Sequence, residues 1–403
     1  MAKNVPIGVL DVGSQKVTML VAEQRANGLA VLGVGTSVSR GMRAGCVVDV
    51  KKTSEAIRAA LVEAELMAGC EIHKVAISVS GEHMKGINSH GVAAVVNREV
   101  SKASALRAIE GAKAVTLPKD VAVLQFLLRQ FVLDGQTGIV DPVGMDGVRL
   151  EAHLHVTSVV ESVIRNLCKS CHAAGLSVTS QVPASLAAAE AVLTPEDKEM
   201  GVAVADIGAG TVDLVIYQAG TVAHTAVIPS AGHDVTRDLA HVLETSLVDA
   251  EGIKKRHGSA MASLVDEDFA VEVAGLPGRG IRQVRARHVA EVMEARLEEI
   301  LDEVRQSIVR SSYGEMLTAG LVLTGGTALT RGITDLATRV LQMPARVGEP
   351  SGLEGLADEI DDASYATAVG LALGLPENPW QPGWSAATMV KRVIPEWVRR
   401  RWS

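Results

Sequence analysis

At 403 residues, the chain has the length of about two to three domains and can bury a sizeable core. With 47% hydrophobic and 21% charged residues, 38 glycines and 13 prolines, it is neither disordered nor collagen-like in composition. Its net charge of −8 argues against a nucleic-acid grip built on bulk positive charge, so no nucleic-acid partner is expected, and no apolar run reaches the roughly 18 residues of a spanning helix.

Met1–Leu10 lacks the basic and apolar regions of a signal peptide. Four cysteines (Cys46, Cys70, Cys168 and Cys171) are too few for a disulfide framework, and together these features predict a reducing, cytosolic setting. The first elements read as strand Ile7–Leu10, a turn at Asp11–Ser14, strand Lys16–Ala22 and a third strand over Leu29–Val38. Lys52–Met67 places Ile57, Leu61, Ala64 and Met67 at helical spacing, and Lys74–Ser80 returns as a strand. From about Gly81 to Ser158 the pattern becomes strands around one helix, Ser101–Val115, as in a small inserted α+β domain. Its strongest strand, Val148–Thr157, puts His153 and His155 on one face with Arg149 and Glu151, which predicts a solvated face rather than a metal site. Ser158–Ala174 reads as an amphipathic helix. It contains Cys168-Lys-Ser-Cys171-His172, a haem-attachment pattern that is better read as a helix with two semi-buried thiols.

The second half repeats the opening: strand Gly201–Ala205, turn Asp206–Thr211, then strands Val212–Tyr217 and Thr221–Pro229. A long amphipathic helix over Ala286–Ser312 leads to strand Leu321–Leu323, the turn Thr324-Gly-Gly-Thr327 and a helix from about Gly332 to Leu341. A helix at Tyr365–Gly374 precedes three prolines in Pro376–Pro382, a short stiff linker.

The two strand–turn–strand units place Asp11 and Asp206 at strand ends before glycine turns. Such turns bring backbone N–H groups to an anion, Ser or Thr adds a hydroxyl donor, and a strand-end carboxylate can hold hydrated Mg²⁺ on a bound phosphate. Two such turns in duplicated halves can clamp a triphosphate from both sides. The Gly-Gly turn after an apolar strand would let backbone pass an adenine or ribose.

In this order the elements resemble the actin-like ATPase superfamily: an α/β, ribonuclease H-like duplicated fold. Asp141-Pro-Val-Gly-Met-Asp-Gly-Val-Arg149, Ile228-Pro-Ser-Ala-Gly232, Asp249-Ala-Glu-Gly-Ile-Lys254, Arg256-His-Gly258 and Leu321-Val-Leu-Thr-Gly-Gly326 are similar to one of its families, the bacterial cell-division protein FtsA. The resemblance runs from about Ile7 to Gly374 and resumes in the tail. It implies subdomains at 1–80 with 166–200 and 365–375, an inserted one at 81–165, a third at 201–229 with 303–364 and a fourth at 230–302, followed by a linker at 376–388 and a C-terminal amphipathic helix at 389–403. It implies ATP and Mg²⁺ as ligands, with Gly13, Ser14, Lys16, Gly208, Gly210 and Thr211 on the phosphates and Asp11 and Asp206 near the cation. Glu251 and Lys254 would flank the ribose, and Gly325, Gly326 and Thr327 the adenosine. Without the resemblance, Glu251 and Lys254 would be read as a solvated helix pair. Where related ATPases carry Glu-Pro to orient the attacking water, this chain has Val182-Pro183, so hydrolysis should be slow or absent.

The resemblance further implies self-assembly into filaments, a partnership with the tubulin-like division protein FtsZ, contacts with later division proteins, and a peripheral place on the cytoplasmic face of the membrane at the septum. Arg282, Arg285 and Arg296, with Arg287, are candidates for the acidic FtsZ C-terminal peptide. An equally good reading is a solvated face with Glu291, Glu294 and Glu298 as intrahelical partners. All four tryptophans lie in the last 24 residues, and Val390–Ser403 carries a net +4. Val390, Val393, Ile394, Trp397, Val398 and Trp402 recur at helical spacing, flanked by Lys391, Arg392, Arg399, Arg400 and Arg401, as in a helix lying on anionic lipid. Pro395 would kink it. The alternatives are a PilM-like pilus-assembly adaptor or an actin-fold small-molecule kinase or phosphatase, neither of which has an evident need of that tail.

Overall fold

A computed structural model of the chain describes residues 6–25, 28–351, 353–355 and 359–374. The linker and tail helix expected at 376–403 lie outside the described residues. In chain order, β1 (Ile7–Val12), β2 (Lys16–Arg25) and β3 (Gly28–Val38) form the meander. A ribbon of β4 (Met42–Arg43) and β5 (Cys46–Val47) leads to α1 (Val50–Ala68) and β6 (Lys74–Val79). Helix α1 begins where the Asp49 side chain accepts from Lys52 N–H, and it ends on Gly69 at φ 66°, a left-handed cap that costs glycine no Cβ clash. Ile57, Leu61 and Ala64 are buried as expected. Met67, in the last turn, is 42% exposed instead, with its Sδ accepting from Val34 N–H at 3.4 Å.

The insertion comprises β7 (Lys85–Ala94), α2 (Lys102–Lys113), β8 (Val121–Leu133), β9 (Gln136–Ile139) and β10 (Arg149–Val160), in sheet order β7-β10-β8-β9. Next come α3 (Glu161–Ala173), β11 (Ser177–Pro183), α4 (Ala184–Val192) and α5 (Pro195–Met200). The helix expected from Ser158 therefore starts three residues later. Ser158, Val159 and Val160 continue β10, paired with Val123, Ala122 and Val121, because the β-branched Val159, fully buried, and Val160 favour the ladder. Along α3, Cys171 is buried and Cys168 half-buried, and burial pushes the Cys171 thiol up to about 12.

The second half runs β12 (Val202–Ile207), β13 (Val212–Gln218), β14 (Thr221–Ile228), α6 (Gly232–Val242), α7 (Leu247–His257), the hairpin β15 (Ala270–Ala274) and β16 (Ile281–Arg285), and α8 (Ala286–Ser311). It closes with β17 (Leu321–Thr324), α9 (Ile333–Leu341), β18 (Ala345–Val347), β19 (Leu353–Gly355) and α10 (Ala366–Leu373). The duplication is explicit in the strand orders, β11-β6-β1-β2-β3-β19 and β14-β13-β12-β17-β18. Read from the same edge they correspond strand for strand, with β19 added.

Helices α4 and α10 carry apolar residues all round, as helices packed on both sides must. Their buried residues form one core with strands of both sheets. Their crossing is close enough that a Cβ on Gly370 would lie 1.6 Å from Ala187 O.

Strand β10 corrects the histidine expectation. His155 is 1% exposed, held between Asn88 Oδ1 at 2.7 Å and Thr225 Oγ1 at 2.9 Å, so it seats the inserted sheet against β14 rather than facing solvent. Burial, then the nearby charges of His224 and Arg129, lower its pKa to about 3. Asn88 Nδ2–H also donates to Ala223 O at 3.1 Å. His153, beyond a register shift in the strand, pairs with Glu151 at 3.3 Å.

Candidate functional site

A cleft of about 960 Å³ opens between the duplicated halves, within the size range of small-molecule sites. Asp11, Gly13, Ser14, Lys16, Asp206, Gly208, Gly210, Thr211, Glu251, Lys254, Gly325, Gly326 and Thr327 all line it. Thirteen residues chosen along more than 300 positions of chain thus share one cavity. The β1–β2 and β12–β13 turns face each other closely, since a Cβ on Gly210 would lie 2.4 Å from Ser14 Oγ. The third turn closes on the second: Thr327 Oγ1–H donates to Gly208 O at 2.9 Å. Gly325 has φ 85°, and a Cβ there would lie 2.3 Å from Asp206 Oδ1, so only glycine brings this backbone against that carboxylate.

At the floor, Asp11 accepts from Ser78 Oγ–H at 2.5 Å and Asp206 from Thr367 Oγ1–H at 2.7 Å. A third carboxylate, Asp213, was not singled out in the sequence. It is the antiparallel register partner of Asp206, 4% exposed, and accepts from Ser80 Oγ–H at 2.6 Å and Thr211 Oγ1–H at 3.1 Å. Its other oxygen, Oδ1, is buried with no partner. An aspartate inside the apolar run Val212-Asp-Leu-Val-Ile-Tyr217 was the available signal, because an unpaired charge in a buried strand is costly. Burial, followed by mutual repulsion, raises these groups: Asp206 to about 6, beside Asp11, and Asp213 to about 7, beside Asp206 and Asp11. Burial also raises Asp11, with Ser78 and Lys16 opposing. Lys16 is the cation among them, its pKa lowered by burial against the pull of Asp11 and Asp362. Its Nζ–H donates to Ser364 Oγ at 3.0 Å, and Nζ sits 3.5 Å from the Tyr365 ring centroid.

Glu251 and Lys254 are not a solvated pair. Their charged atoms meet at 2.7 Å with side chains 18% and 16% exposed. Lys254 Nζ–H donates to Gly232 O at 3.0 Å and Thr236 Oγ1 at 2.8 Å, and Thr236 Oγ1–H donates to Glu251 at 2.5 Å. This pins the start of α6 to α7 at the edge of the cleft. Val182 is 3% exposed in the core, and Pro183 immediately precedes α4.

Of the intrahelical partners expected for the basic candidates on β16 and α8, only Glu291 takes that part, beside Arg287. Arg296 bonds Asp238 of α6 at 2.5 Å and Glu299 at 2.6 Å. Arg282 donates to Leu243 O and lies 3.7 Å from Glu244. Arg287 pairs with Glu267 and with Glu291 at 3.7 Å, while Glu294 and Glu298 pair with Arg339. Arg285 has no ion pair among the described residues and is exposed. No group of three or more His, Cys, Asp or Glu among the described residues is arranged to hold a metal directly, and no described helix is long and apolar enough to cross a membrane.

Comparison with known proteins adds to this geometry. The family model described as Cell division protein FtsA matches residues 203–370, and that described as SHS2 domain inserted in FTSA matches 81–158. The chain is 41% identical over 365 residues to Cell division protein FtsA of Pseudomonas aeruginosa, covering 90% of this chain and 88% of the relative. It is 36% identical over 399 residues to that of Escherichia coli K12, covering 97% and 95%. Among solved structures it is similar to a PilM-PilN type IV pilus biogenesis complex, at TM-score 0.64 and 16% identity over 92% of this chain and 98% of that one. MreB5 of Spiroplasma citri bound to ADP gives TM-score 0.54 at 14% identity over 91% and 94%. These likenesses show the actin-like fold.

Proposed function

The chain belongs to the family of the bacterial cell-division protein FtsA, and from that premise we propose that it binds ATP with Mg²⁺ in the cleft between its halves, assembles into filaments, and tethers FtsZ to the cytoplasmic face of the membrane at the division septum. The observation that carries the nucleotide reading is the convergence of both aspartate–glycine turns and the Gly-Gly turn on one cavity. Glycine turns offer backbone N–H groups to phosphate oxygens, with Ser14 and Thr211 as hydroxyl donors and Lys16 as counter-charge. The floor suits a hydrated divalent cation: three carboxylates, one with an unpartnered buried oxygen, need positive charge. Asp11, Asp206 and Asp213 would hold that shell, and the cation would neutralise phosphate charge. With valine buried at the position of the water-orienting glutamate, binding outlasts hydrolysis.

Arg285 and its neighbours on 230–302 are the surface we assign to the acidic FtsZ peptide, and residues 389–403 the part that lies on anionic lipid. Single tails would bind weakly and a filament would bind many at once. Titration calorimetry with Mg·ATP tests the cleft: Asp206→Asn should weaken binding, and undiminished binding would misplace the site. Cosedimentation with anionic vesicles, with and without FtsZ, tests the tether. Binding that survives deletion of 389–403 would remove the tail from it.

A further inference from the structure

The first phosphate turn carries one side chain with no assigned role. Gln15 follows Ser14 and lines the cleft. Its Oε1 lies 2.7 Å from Nε2 of His233, 218 positions away in the other half. His233 is the second residue of α6, and that helix start is tied to the second phosphate turn through backbone: His233 N–H donates to Ala209 O at 2.7 Å and Gly232 N–H to Gly208 O at 3.1 Å. Gln15 is anchored in its own half, its carbonyl accepting from Ser39 N–H at 2.9 Å. The Gln15–His233 bond therefore runs from the tip of one phosphate turn to a helix fixed on the tip of the other. Unlike the Ser80–Asp213 link at the floor, both of its side chains are only half-buried. Burial, then Lys254, holds the imidazole pKa below its ordinary value, with Glu251 opposing and Arg237 adding to the depression. A neutral ring has one N–H to give, and Gln15 Oε1 is the acceptor within reach of Nε2.

We propose that Gln15 and His233 form a clasp across the mouth of the cleft, and that its opening is a step in the entry and release of the nucleotide. The proposal rests on the nucleotide reading of the cleft. Anything bound between the two turns leaves by their separation, and separation breaks this bond. Because the bond joins protein to protein, it retains adenosine di- and triphosphate alike.

The test uses the full-length protein with Mg²⁺ and the fluorescent N-methylanthraniloyl derivatives of ATP and ADP, with dissociation rates read by stopped flow. Gln15→Ala and His233→Phe should each raise the dissociation rate of both nucleotides roughly 2- to 10-fold, the worth of one neutral hydrogen bond. The double variant should exceed neither single one, because each change breaks the same bond. Unchanged rates in both single variants, or effects that multiply in the double one, would overturn the clasp. A rise confined to the triphosphate would overturn it in favour of direct contact between Gln15 and the terminal phosphate. If His233→Phe does not fold, His233→Asn replaces it, removing the ring N–H with a smaller side chain. Wild-type protein that binds neither nucleotide would overturn the nucleotide reading and the clasp with it, whereas wild-type binding with unchanged variant rates would overturn the clasp alone.

Discussion

Replacing Asp213 by asparagine should stabilise the ligand-free protein at pH 8. In the folded chain this carboxyl titrates at about 7 against an ordinary 3.8, raised by burial first and by Asp206 second. Because the folded-state value lies above the unfolded one, the stability contributed by this group is complete below about pH 4 and is lost as the pH rises through about 7. At about 1.4 kcal/mol per pH unit, the loss at pH 8 approaches about 4 kcal/mol. Asparagine removes the charge and keeps an oxygen for the Ser80 and Thr211 hydroxyls. Its amide N–H₂ takes the place of Oδ1, which has no partner now, and leaving that group unsatisfied costs about 1–3 kcal/mol. The net gain is about 1–3 kcal/mol, or about 1–4 °C in the unfolding midpoint of a chain of this length. Scanning fluorimetry in EDTA at pH 8 measures it, and at pH 5, where the wild-type carboxyl is protonated, the gain should vanish. With Mg·ATP the order should reverse, because the wild type gains binding energy that the variant has lost. A lower midpoint for the variant at pH 8, or a gain of equal size at both pH values, would refute the claim that the cost of a buried charge is stored at the floor of the cleft.

Four further outcomes are expected. Gly370→Ala should destabilise by about 3 kcal/mol, since its Cβ would collide with Ala187 O and two packed helices would have to part; urea unfolding measures this. Thr225→Val leaves His155 Nε2 without its partner and should cost about 1–3 kcal/mol. Because the His155 pKa is lowered to about 3, the wild type should lose stability as the pH falls from about 6.5 towards 3, and His155→Gln should flatten that slope in acid unfolding. Arg285→Glu should abolish binding of the FtsZ C-terminal peptide in fluorescence anisotropy without changing ATP affinity. Arg296→Glu would be a poorer probe, because it would set a third carboxylate beside Asp238 and Glu299.

The strands, the duplication and the two aspartate–glycine turns were legible in the sequence because each depends on near neighbours. Alternation of apolar residues marks a strand, glycine after aspartate marks a hairpin, and the pattern of one half repeats in the other. That was enough to mark the two turns as a phosphate clamp, and the resemblance to a family of known order assigned the thirteen residues to one cleft, among them Glu251 and Lys254, which their spacing alone reads as a solvated helix pair. Packing decided the rest. His155 shares a strand with exposed Arg149, yet β14 covers it, and no local pattern records the arrival of Thr225 from 70 positions away. Asp213 looks like one acidic residue in an apolar strand until the hairpin register sets it opposite Asp206 and the fold brings Asp11 and Ser80 to the same floor. Arg282 and Arg296 also found Asp238, Leu243 and Glu244 on or beside α6 because that helix packs against them, whereas spacing could suggest only partners one turn along a helix, such as Glu291 for Arg287. Periodicity reports which face of an element is apolar. Only the tertiary structure determines what covers that face, and with it which charges are paired, buried or left to bind.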